Sequence, residues 1–173
     1  MTRMQIMGAA GALAVAGGIA AVAVRRQRRT DASDIVRAHY AALEARDWER
    51  LADLSHESVS YRDPEMDLRG RSEMVSRAQQ LEAPFSDPSL ETDIVSGNGR
   101  DVISEWRYSG IHSGTLRLAD GTLIPASGRR ISVSGISRFA VEQGQIMEEH
   151  SFWDNEQFHS QLRSAAETAT AGA

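Results

Sequence analysis

Residues 131–154 read ISVSGISRFAVEQGQIMEEHSFWD and carry the strongest fold signal in the chain. Two runs within them, Ile131–Val141 and Ile146–Trp153, alternate apolar and polar residues over most of their length. The four residues between the runs, Glu142-Gln143-Gly144-Gln145, are typical of a tight turn. A period of two indicates strands, and a short Gly-containing connection indicates a hairpin. The stretch therefore predicts two neighbouring antiparallel strands.

Further strands and helices lie upstream of this hairpin. Residues 31–54 and the segment after Gly70 carry apolar residues at helical spacing, whereas Val59–Asp63, Leu90–Ser96 and Val102–His112 have the pattern of strands. Helices early in the chain and long strands later predict an α+β fold, in which a curved antiparallel sheet wraps around the N-terminal helices. Such a sheet encloses a pocket between its concave face and the helices.

The N-terminal residues have a different composition. Residues 4–24 are uncharged and rich in Ala, Gly, Val and Ile, and they are about as long as a bilayer-spanning helix needs to be. An Arg-rich stretch, Arg25–Arg29, follows this run, and only Arg3 precedes it. The positive-inside rule then predicts a single membrane anchor with the following domain on the cytoplasmic side. An exported protein with a signal peptide is the alternative.

The sequence thus divides into three parts. Residues 1–30 form the anchor or signal-like segment with its Arg-rich flank, residues 31–163 form one domain, and the Ala/Thr-rich residues 164–173 are predicted to be a disordered tail. The first 30 residues contain five Arg and no acid, so residues 31–173 carry 14 Arg, all 24 acidic residues and a net charge of −10. So acidic a domain repels phosphate backbones, which predicts that nucleic acids are not partners.

Composition also excludes some chemistry. All 19 basic residues are Arg, which excludes a lysine Schiff base, and the absence of Cys excludes disulfides and thiolate sites. The five His form no paired ligand motif such as HxH or HExxH, so no metal site is predicted.

Strand alternation places aromatic, His and carboxylate side chains on common faces. The residues concerned are Trp106, Tyr108 and His112 in the strand Val102–His112, and Glu148, His150, Phe152 and Asp154 in and just after the last strand. This composition is expected of a small-molecule pocket, and equally of a wet outer face with a few aromatics.

Three segments resemble a known family. Trp106–Gly114 reads WRYSGIHSG, Pro125–Arg129 reads PASGR, and Gly144–Asp154 reads GQIMEEHSFWD. These segments resemble SnoaL-like polyketide cyclases, within the NTF2-like superfamily, and the resemblance covers about residues 33–163. It implies a cone-shaped α+β fold, a homodimer through sheet faces, and an apolar small-molecule substrate. Because the superfamily holds isomerases, hydrolases and non-catalytic binders, fold alone does not settle the function.

The resemblance also implies a catalytic group. In the family's cyclases, a carboxylate near the end of the last strand is the acid/base for an intramolecular aldol closure without a cofactor, and the matching position here is Asp154. His150 and His112 are the other catalytic candidates, through hydrogen bonds to substrate or to the Asp. Each has an alternative interpretation: Asp154 as a helix N-cap, His112 as a residue that shapes a turn, and His150 as a satisfied sheet histidine.

Substrate-binding candidates surround these groups. They are Trp106, Tyr108, Tyr61, Asp63, Arg138 and Phe152. Trp106 either lines the pocket or packs in the core, and Asp63 before a Pro is also a common turn residue. Arg138 either binds an acidic substrate or pairs with Glu148 or Glu149, of which the ion pair is favoured.

Three functions are compatible with these patterns. The first is a cofactor-independent cyclase or isomerase that acts by proton transfer next to a carbonyl. The second is a non-catalytic module that binds a small hydrophobic ligand. The third is a membrane-tethered interaction domain that dimerises through its outer sheet face.

Overall fold

The structure is a computed structural model that describes residues 31–163. The predictions of a membrane anchor at residues 4–24 and of a disordered tail at residues 164–173 therefore lie outside the described residues. The described elements, in chain order, are α1 (Ala32–Ala45), α2 (Trp48–Leu54), β1 (Ser55–Arg62), β2 (Asp67–Arg69), α3 (Arg71–Glu82), β3 (Phe85–Asn98), β4 (Asp101–His112), β5 (Leu116–Arg117), β6 (Leu123–Ile124), β7 (Arg130–Glu142), β8 (Gln145–Trp153) and α4 (Asn155–Leu162).

Six of the strands form one curved sheet in the order β2-β1-β8-β7-β4-β3, and β5 pairs with β6 in a separate small hairpin. All neighbours in the large sheet are antiparallel except β1 and β8, which run parallel. The α+β class is confirmed, but the prediction of a purely antiparallel sheet is wrong. A parallel pair requires a long connection, and here helix α3 and the whole β3–β7 segment separate β1 from β8.

The predicted helix at residues 31–54 is two helices. The Asp31 side chain caps α1 by accepting a hydrogen bond from the Ser33 amide at 3.1 Å. Arg46 then adopts a left-handed conformation with φ 53°, which ends α1. Asp47 caps the next helix at once, because its Oδ1 accepts from the Arg50 amide at 2.9 Å. The apolar periodicity continues across this break, so periodicity alone did not locate it.

The long strands bend where their pairing is irregular. β3 begins directly after Pro84 and contains Pro88, which lies where the pairing with β4 shifts between Ser86 and Ser89. Because proline has no amide hydrogen to donate to the ladder, a bulge is one of the few places in a strand that tolerates it. The β7–β8 turn contains Gln143 and Gly144, both with positive φ, as a tight hairpin requires.

Helices and sheet enclose two apolar clusters. The larger one joins α1, α2 and α3 to the sheet and includes the fully buried Val36, Leu51 and Phe139. The smaller one joins Phe85 to the β5–β6 hairpin and to Phe158 and Leu162 of α4. No helix within residues 31–163 has both the length and the apolar character to cross a bilayer.

Candidate functional site

A cavity of about 160 Å³ lies between the helices and the inner face of the sheet. Its wall is mainly apolar and aromatic, with contributions from every helix and from five strands. The lining residues that matter for the chemistry are His39, Tyr40, Tyr61, Glu82, Trp106, Tyr108, Ser137, Glu149, Ser151, Trp153 and Phe158. A void of this size accommodates a benzene-sized guest. A one-ring ligand therefore fits as the side chains stand, and a polycyclic ligand requires some of them to move.

Glu149 of β8 is the most buried carboxyl group in this wall, with 7% of the residue exposed. It lies there because β8 contains one extra residue: Ala140 pairs with Glu148 and Val141 pairs with Ile146, which leaves Met147 without a partner on β7. A bulge of this kind reverses the inward and outward alternation beyond it. Consequently Ile146 and Glu149 are both buried, and Glu149, Ser151 and Trp153 all line the cavity.

The surroundings of Glu149 favour its neutral form. Burial raises the pKa of Glu149 from 4.5 to about 8, while a hydrogen bond from Ser151 Oγ to Oε1, at 3.2 Å, acts in the opposite direction. The Asp63 carboxylate adds a smaller upward contribution. At pH 7 the Glu149 carboxyl group is therefore protonated in most molecules.

His39 of α1 is the nearest titratable partner of Glu149. Its Nε2 lies 3.4 Å from Glu149 Oε2, and within residues 31–163 neither ring nitrogen has a hydrogen-bond partner of good geometry. Burial lowers the pKa of His39 from 6.5 to about 4, so the imidazole is neutral at pH 7. Edge contacts with Tyr40 and Phe139, at ring-centroid distances of 5.5 and 5.3 Å, hold the ring in place.

A buried ion-pair network supports the wall next to this pair. Arg77 Nε donates to Asp63 Oδ2 at 2.8 Å, and Arg77 Nη2 donates to Glu65 Oε2 at 2.9 Å. The Tyr61 hydroxyl donates to the same Asp63 oxygen at 3.2 Å. Burial, together with the negative charges of Glu149 and Asp63, raises the pKa of Tyr61 well above 10.0, so Tyr61 remains a neutral phenol.

A second polar group lies elsewhere in the cavity wall. Tyr108 donates its hydroxyl hydrogen to Glu82 Oε2 at 3.4 Å, and Arg46 Nη2 contacts the same oxygen at 3.3 Å. Burial raises the pKa of Glu82 in spite of the arginine. The cavity thus combines an apolar wall with two separate carboxyl groups.

Asp154 lies outside the cavity lining. It is exposed and caps α4, since its Oδ1 accepts a hydrogen bond from the Gln157 amide at 2.9 Å. The alternative interpretation of this residue as an N-cap is confirmed. Its role as the acid/base stays a prediction, although it lacks the apolar shelter that would raise the basicity of a carboxylate.

The two histidines predicted with Asp154 do not line the cavity either. His112 is fully buried in the smaller cluster, and its Nδ1 accepts from the Ser127 amide at 3.3 Å. His150 faces the opposite side of the sheet, where its ring lies 3.9 Å from that of Phe152. Phe152 is 50% exposed on this outer face. Glu148, His150 and Phe152 thus lie on the outer face of the sheet, the second of the two interpretations of this strand face, because the bulge at Met147 shifts the alternation of β8.

The remaining candidates divide between cavity and surface. Trp106, Tyr108 and Tyr61 line the cavity, whereas Asp63 lies behind Tyr61 and accepts the Glu65 and Met66 amides, each at 2.8 Å. Arg138 is an exposed residue that pairs with Asp101 at 3.0 Å and with Glu148 at 3.4 Å. The favoured ion-pair interpretation of Arg138 is confirmed for Glu148.

Sequence reasoning missed Glu149 and His39 as site residues. His39 carried a usable signal, since it lies four residues after Ile35 and four before Leu43, on the apolar side of a predicted helix. Glu149 carried no such signal, because a strict period of two places it on the other face. Within the described part of the chain, no cluster of three or more His, Asp or Glu is arranged to hold a metal ion.

Residues 33–162 match the family model described as SnoaL-like polyketide cyclase. The chain belongs to the SnoaL-like polyketide cyclase family. This confirms the resemblance inferred from the sequence and agrees with the curved mixed sheet and its helices. No curated protein gives a significant match to this SnoaL-like protein.

Solved structures share the fold of this SnoaL-like domain. A protein named as a candidate polyketide cyclase from Xanthomonas campestris pv. campestris has a TM-score of 0.68 and 22% identity, over 78% of this chain and 98% of that one. TsrD from Streptomyces laurentii has a TM-score of 0.64 and 26% identity, over 75% and 92%. A protein named as a candidate ketosteroid isomerase from Kribbella flavida has a TM-score of 0.53 and 20% identity, over 72% and 78%. At these identities the neighbours establish the shared fold of the SnoaL-like domain.

Proposed function

We propose that this domain is a cofactor-independent cyclase or isomerase that moves a proton at a carbon next to a carbonyl of an apolar small molecule. One observation carries the proposal: the Glu149 carboxyl group lies in an apolar cavity, 3.4 Å from a neutral imidazole, and no Arg of residues 31–163 lines that cavity. Family membership and the ketosteroid-isomerase-named neighbour support the same reaction class. We assign the acid/base role to Glu149 in place of Asp154.

The proposed mechanism uses two groups. The ionised Glu149 takes a proton from the carbon next to the carbonyl, and the C–H electron pair moves into an enolate. A ring N–H of neutral His39 donates a hydrogen bond to the enolate oxygen, as an uncharged imidazole can do in a buried site. Glu149 then returns its proton, either to another carbon of the conjugated system or to the alkoxide formed when the enolate carbon attacks a second carbonyl of the same molecule. Either step restores the carboxylate.

The pH dependence follows from the pKa of about 8 for Glu149. Only the carboxylate can accept the first proton, and it is the minor form below pH 8. The rate at low substrate concentration should therefore rise about tenfold per pH unit up to pH 8 and level off above it. If the protonated Glu149 instead donated its proton in the first step, the rate would fall above pH 8.

Solvent deuterium exchange tests the proposal without knowledge of the natural substrate. The protein is incubated in deuterium oxide with cyclohexanone and with a β,γ-unsaturated cyclohexenone, and deuterium next to the carbonyl is measured by mass spectrometry. We expect Glu149→Gln to reduce exchange at least a hundredfold, the usual contribution of a general base. Asp154→Asn is the matched variant, and it should retain exchange because Asn caps a helix as well as Asp does.

Two outcomes would contradict this proposal. Loss of exchange in Asp154→Asn with full exchange in Glu149→Gln would return the acid/base role to Asp154. Saturable binding of both ketones without any exchange would instead favour the non-catalytic ligand-binding module. That alternative has one observation in its favour, since a neutral Glu149 beside a neutral His39 is also a suitable uncharged anchor for a ligand carbonyl.

Two properties beyond the site remain proposals. A homodimer through the outer sheet face is compatible with the exposed apolar side chains Ile103, Ile136 and Phe152 on strands β4, β7 and β8. Membrane attachment through residues 4–24, with the domain on the cytoplasmic side, rests on the sequence pattern alone.

A further inference from the structure

A line of hydrogen bonds runs across three adjacent strands and ends on Glu149. Trp106 Nε1 on β4 donates to Ser137 Oγ on β7 at 2.9 Å. Ser137 Oγ lies 2.7 Å from Ser151 Oγ on β8, and Ser151 Oγ donates to Glu149 Oε1 at 3.2 Å. Ser137 and Ser151 are buried, with 1% and 5% of their surfaces exposed. We call these four residues the Trp106–Glu149 chain.

The donors in this chain have a fixed direction when Glu149 is ionised. Each serine has a single hydroxyl hydrogen, so when Ser151 donates to the carboxylate, the hydrogen between the two serines must come from Ser137. The oxygen of Ser137 then accepts from Trp106, and an indole N–H can only donate. All three hydrogen bonds therefore point towards Glu149 Oε1.

The other carboxyl oxygen remains outside the chain. Glu149 Oε2 is the atom that lies 3.4 Å from His39 Nε2, and it has no hydrogen bond of good geometry within residues 31–163. The chain thus occupies Oε1 and leaves Oε2 as the oxygen that can exchange a proton with a ligand.

The local structure favours this use of Trp106. Gly135 on β7 pairs directly with Trp106, and a Cβ at Gly135 would overlap the indole ring. The ring therefore lies across β7 at a position where only glycine leaves room for it, and its N–H reaches Ser137 two residues along that strand. Trp153 packs edge-on against the same ring at a centroid distance of 5.9 Å.

We propose that Trp106 is a positioning residue for Glu149, acting through Ser137 and Ser151 to hold Oε1 and to present Oε2 to the substrate. This inference rests on the proposed role of Glu149 as the acid/base. It gives Trp106 a function beyond its place in the cavity wall, because the indole N–H, and not the ring alone, is required.

Of the titratable groups around Glu149 in residues 31–163, Tyr40 also contacts this chain, through a hydrogen bond to Ser137, and the others lie off it. His39 and Tyr40 face it from α1, Tyr61 faces it from β1, and Asp63, paired with Arg77 of α3, lies behind Tyr61. The Tyr40 hydroxyl is engaged with Ser104 Oγ at 2.6 Å. A change confined to the Trp106 N–H therefore leaves the charged groups near Glu149 as they are.

Trp106→Phe tests the inference, because it removes the N–H and keeps an aromatic ring in the wall. Trp153→Phe is the matched control: its ring also lines the cavity, but its N–H donates to Asn155 Oδ1 at 3.3 Å. The readout is the pKa of Glu149 from the pH titration of its carbon-13-labelled carboxyl group by NMR, with the signal assigned by its loss in Glu149→Gln.

We expect the acid dissociation constant of Glu149 to fall about tenfold in Ser151→Ala, since a hydrogen bond to a charged group is lost. It should fall less in Ser137→Ala and Trp106→Phe and stay unchanged in Trp153→Phe. Deuterium exchange should show a lower kcat in Trp106→Phe with little change in KM. If circular dichroism shows that Trp106→Phe does not fold, Ser137→Ala provides the same test.

The outcomes separate this inference from the proposed function. An unchanged titration of Glu149 in both Trp106→Phe and Ser137→Ala would overturn the positioning role, whatever the activity. An equal shift in Trp106→Phe and Trp153→Phe would also overturn it, since the cause would then be a change in cavity packing. If the ordered shifts occur but the wild-type protein does not exchange deuterium, the chain positions Glu149 and the proposed reaction fails.

Discussion

Glu149 and His39 are two ionisable groups buried side by side, and each is neutral at pH 7. Transfer of a charged carboxylate into an apolar site costs several kcal/mol, so the protein lowers the cost by leaving the proton on. A single hydroxyl from Ser151 contacts the group and offsets only part of the desolvation. The pKa of Glu149 thus lies close to neutral pH, so the group can both release and accept a proton, which suits acid/base catalysis.

The same property makes the stability of the domain depend on pH. The folded-state pKa of Glu149, about 8, is above its usual 4.5, so the folded protein holds a proton between these values that the unfolded chain releases. The contribution of Glu149 to the free energy of unfolding therefore does not change with pH below pH 4.5, and it falls progressively as the pH rises from 4.5 to 8. We expect the stability of Glu149→Gln relative to the wild type to rise over this range by up to about 5 kcal/mol.

Urea unfolding at several pH values between 4 and 9 measures this difference. His39 lies 3.4 Å from Glu149 and titrates below pH 6.5, so the comparison between pH 6.5 and 8 is the part that reports on Glu149. Glu148→Gln, at the exposed neighbour on the same strand, should not reproduce the gain. A difference between Glu149→Gln and the wild type that stays flat from pH 4 to pH 9 would show that Glu149 is not held neutral.

At the scale of elements, α4 closes one side of the cavity. Phe158 contributes to the lining, and polar contacts tie the helix to the turn after β1, where His159 Nε2 lies 2.8 Å from Glu65 Oε1. Asp154 starts this helix and Asp47 starts α2 in the same manner, each accepting an amide hydrogen three residues ahead at 2.9 Å. The two aspartates are therefore matched caps, one beside the cavity and one remote from the last strand.

We expect Asp154→Ala and Asp47→Ala each to lower the free energy of unfolding by about 1 kcal/mol through loss of the cap. Asp154→Asn should preserve stability, because the Asn side chain also accepts the amide hydrogen. Denaturant midpoints at pH 7 measure all three. If Asp154→Ala were as stable as the wild type, Asp154 would not stabilise the helix as a cap. If its loss of stability were much larger than that of Asp47→Ala, Asp154 would have a stabilising role besides capping.

In the molecule as a whole, the helices and the curved sheet enclose a cavity whose wall has little polar surface. Its cavity of about 160 Å³ suits a compact, uncharged molecule, since the lining contains two carboxyl groups of raised pKa and no unpaired cation among the described residues. Charged carboxylic acids of similar size should bind poorly for the same reason.

The attachment of the molecule to a membrane stays a prediction that fractionation can test. We expect the full chain to sediment with membranes and to resist extraction by high salt, whereas a chain that starts at residue 31 should stay in the supernatant. An uncharged run of 21 residues is long enough to remain in the bilayer. Recovery of the full-length, unprocessed chain in the supernatant would contradict the anchor.

The class of fold, most strand positions and the family could be predicted from the sequence. Alternation and turn residues are local properties, so they located the β7–β8 hairpin and the face of β4 that carries Trp106 and Tyr108. The resemblance seen in segments such as Gly144–Asp154 is confirmed by the family match over residues 33–162.

Which acid enters the cavity could not be predicted in this way. One extra residue at Met147 reverses the alternation of β8, and nothing in its sequence distinguishes that bulge from a regular strand. The partner of Glu149 comes from α1, 110 residues earlier, and the donor at the far end of the Trp106–Glu149 chain comes from β4. Such contacts depend on how strands and helices pack across the core, so the pattern within any single segment does not contain them.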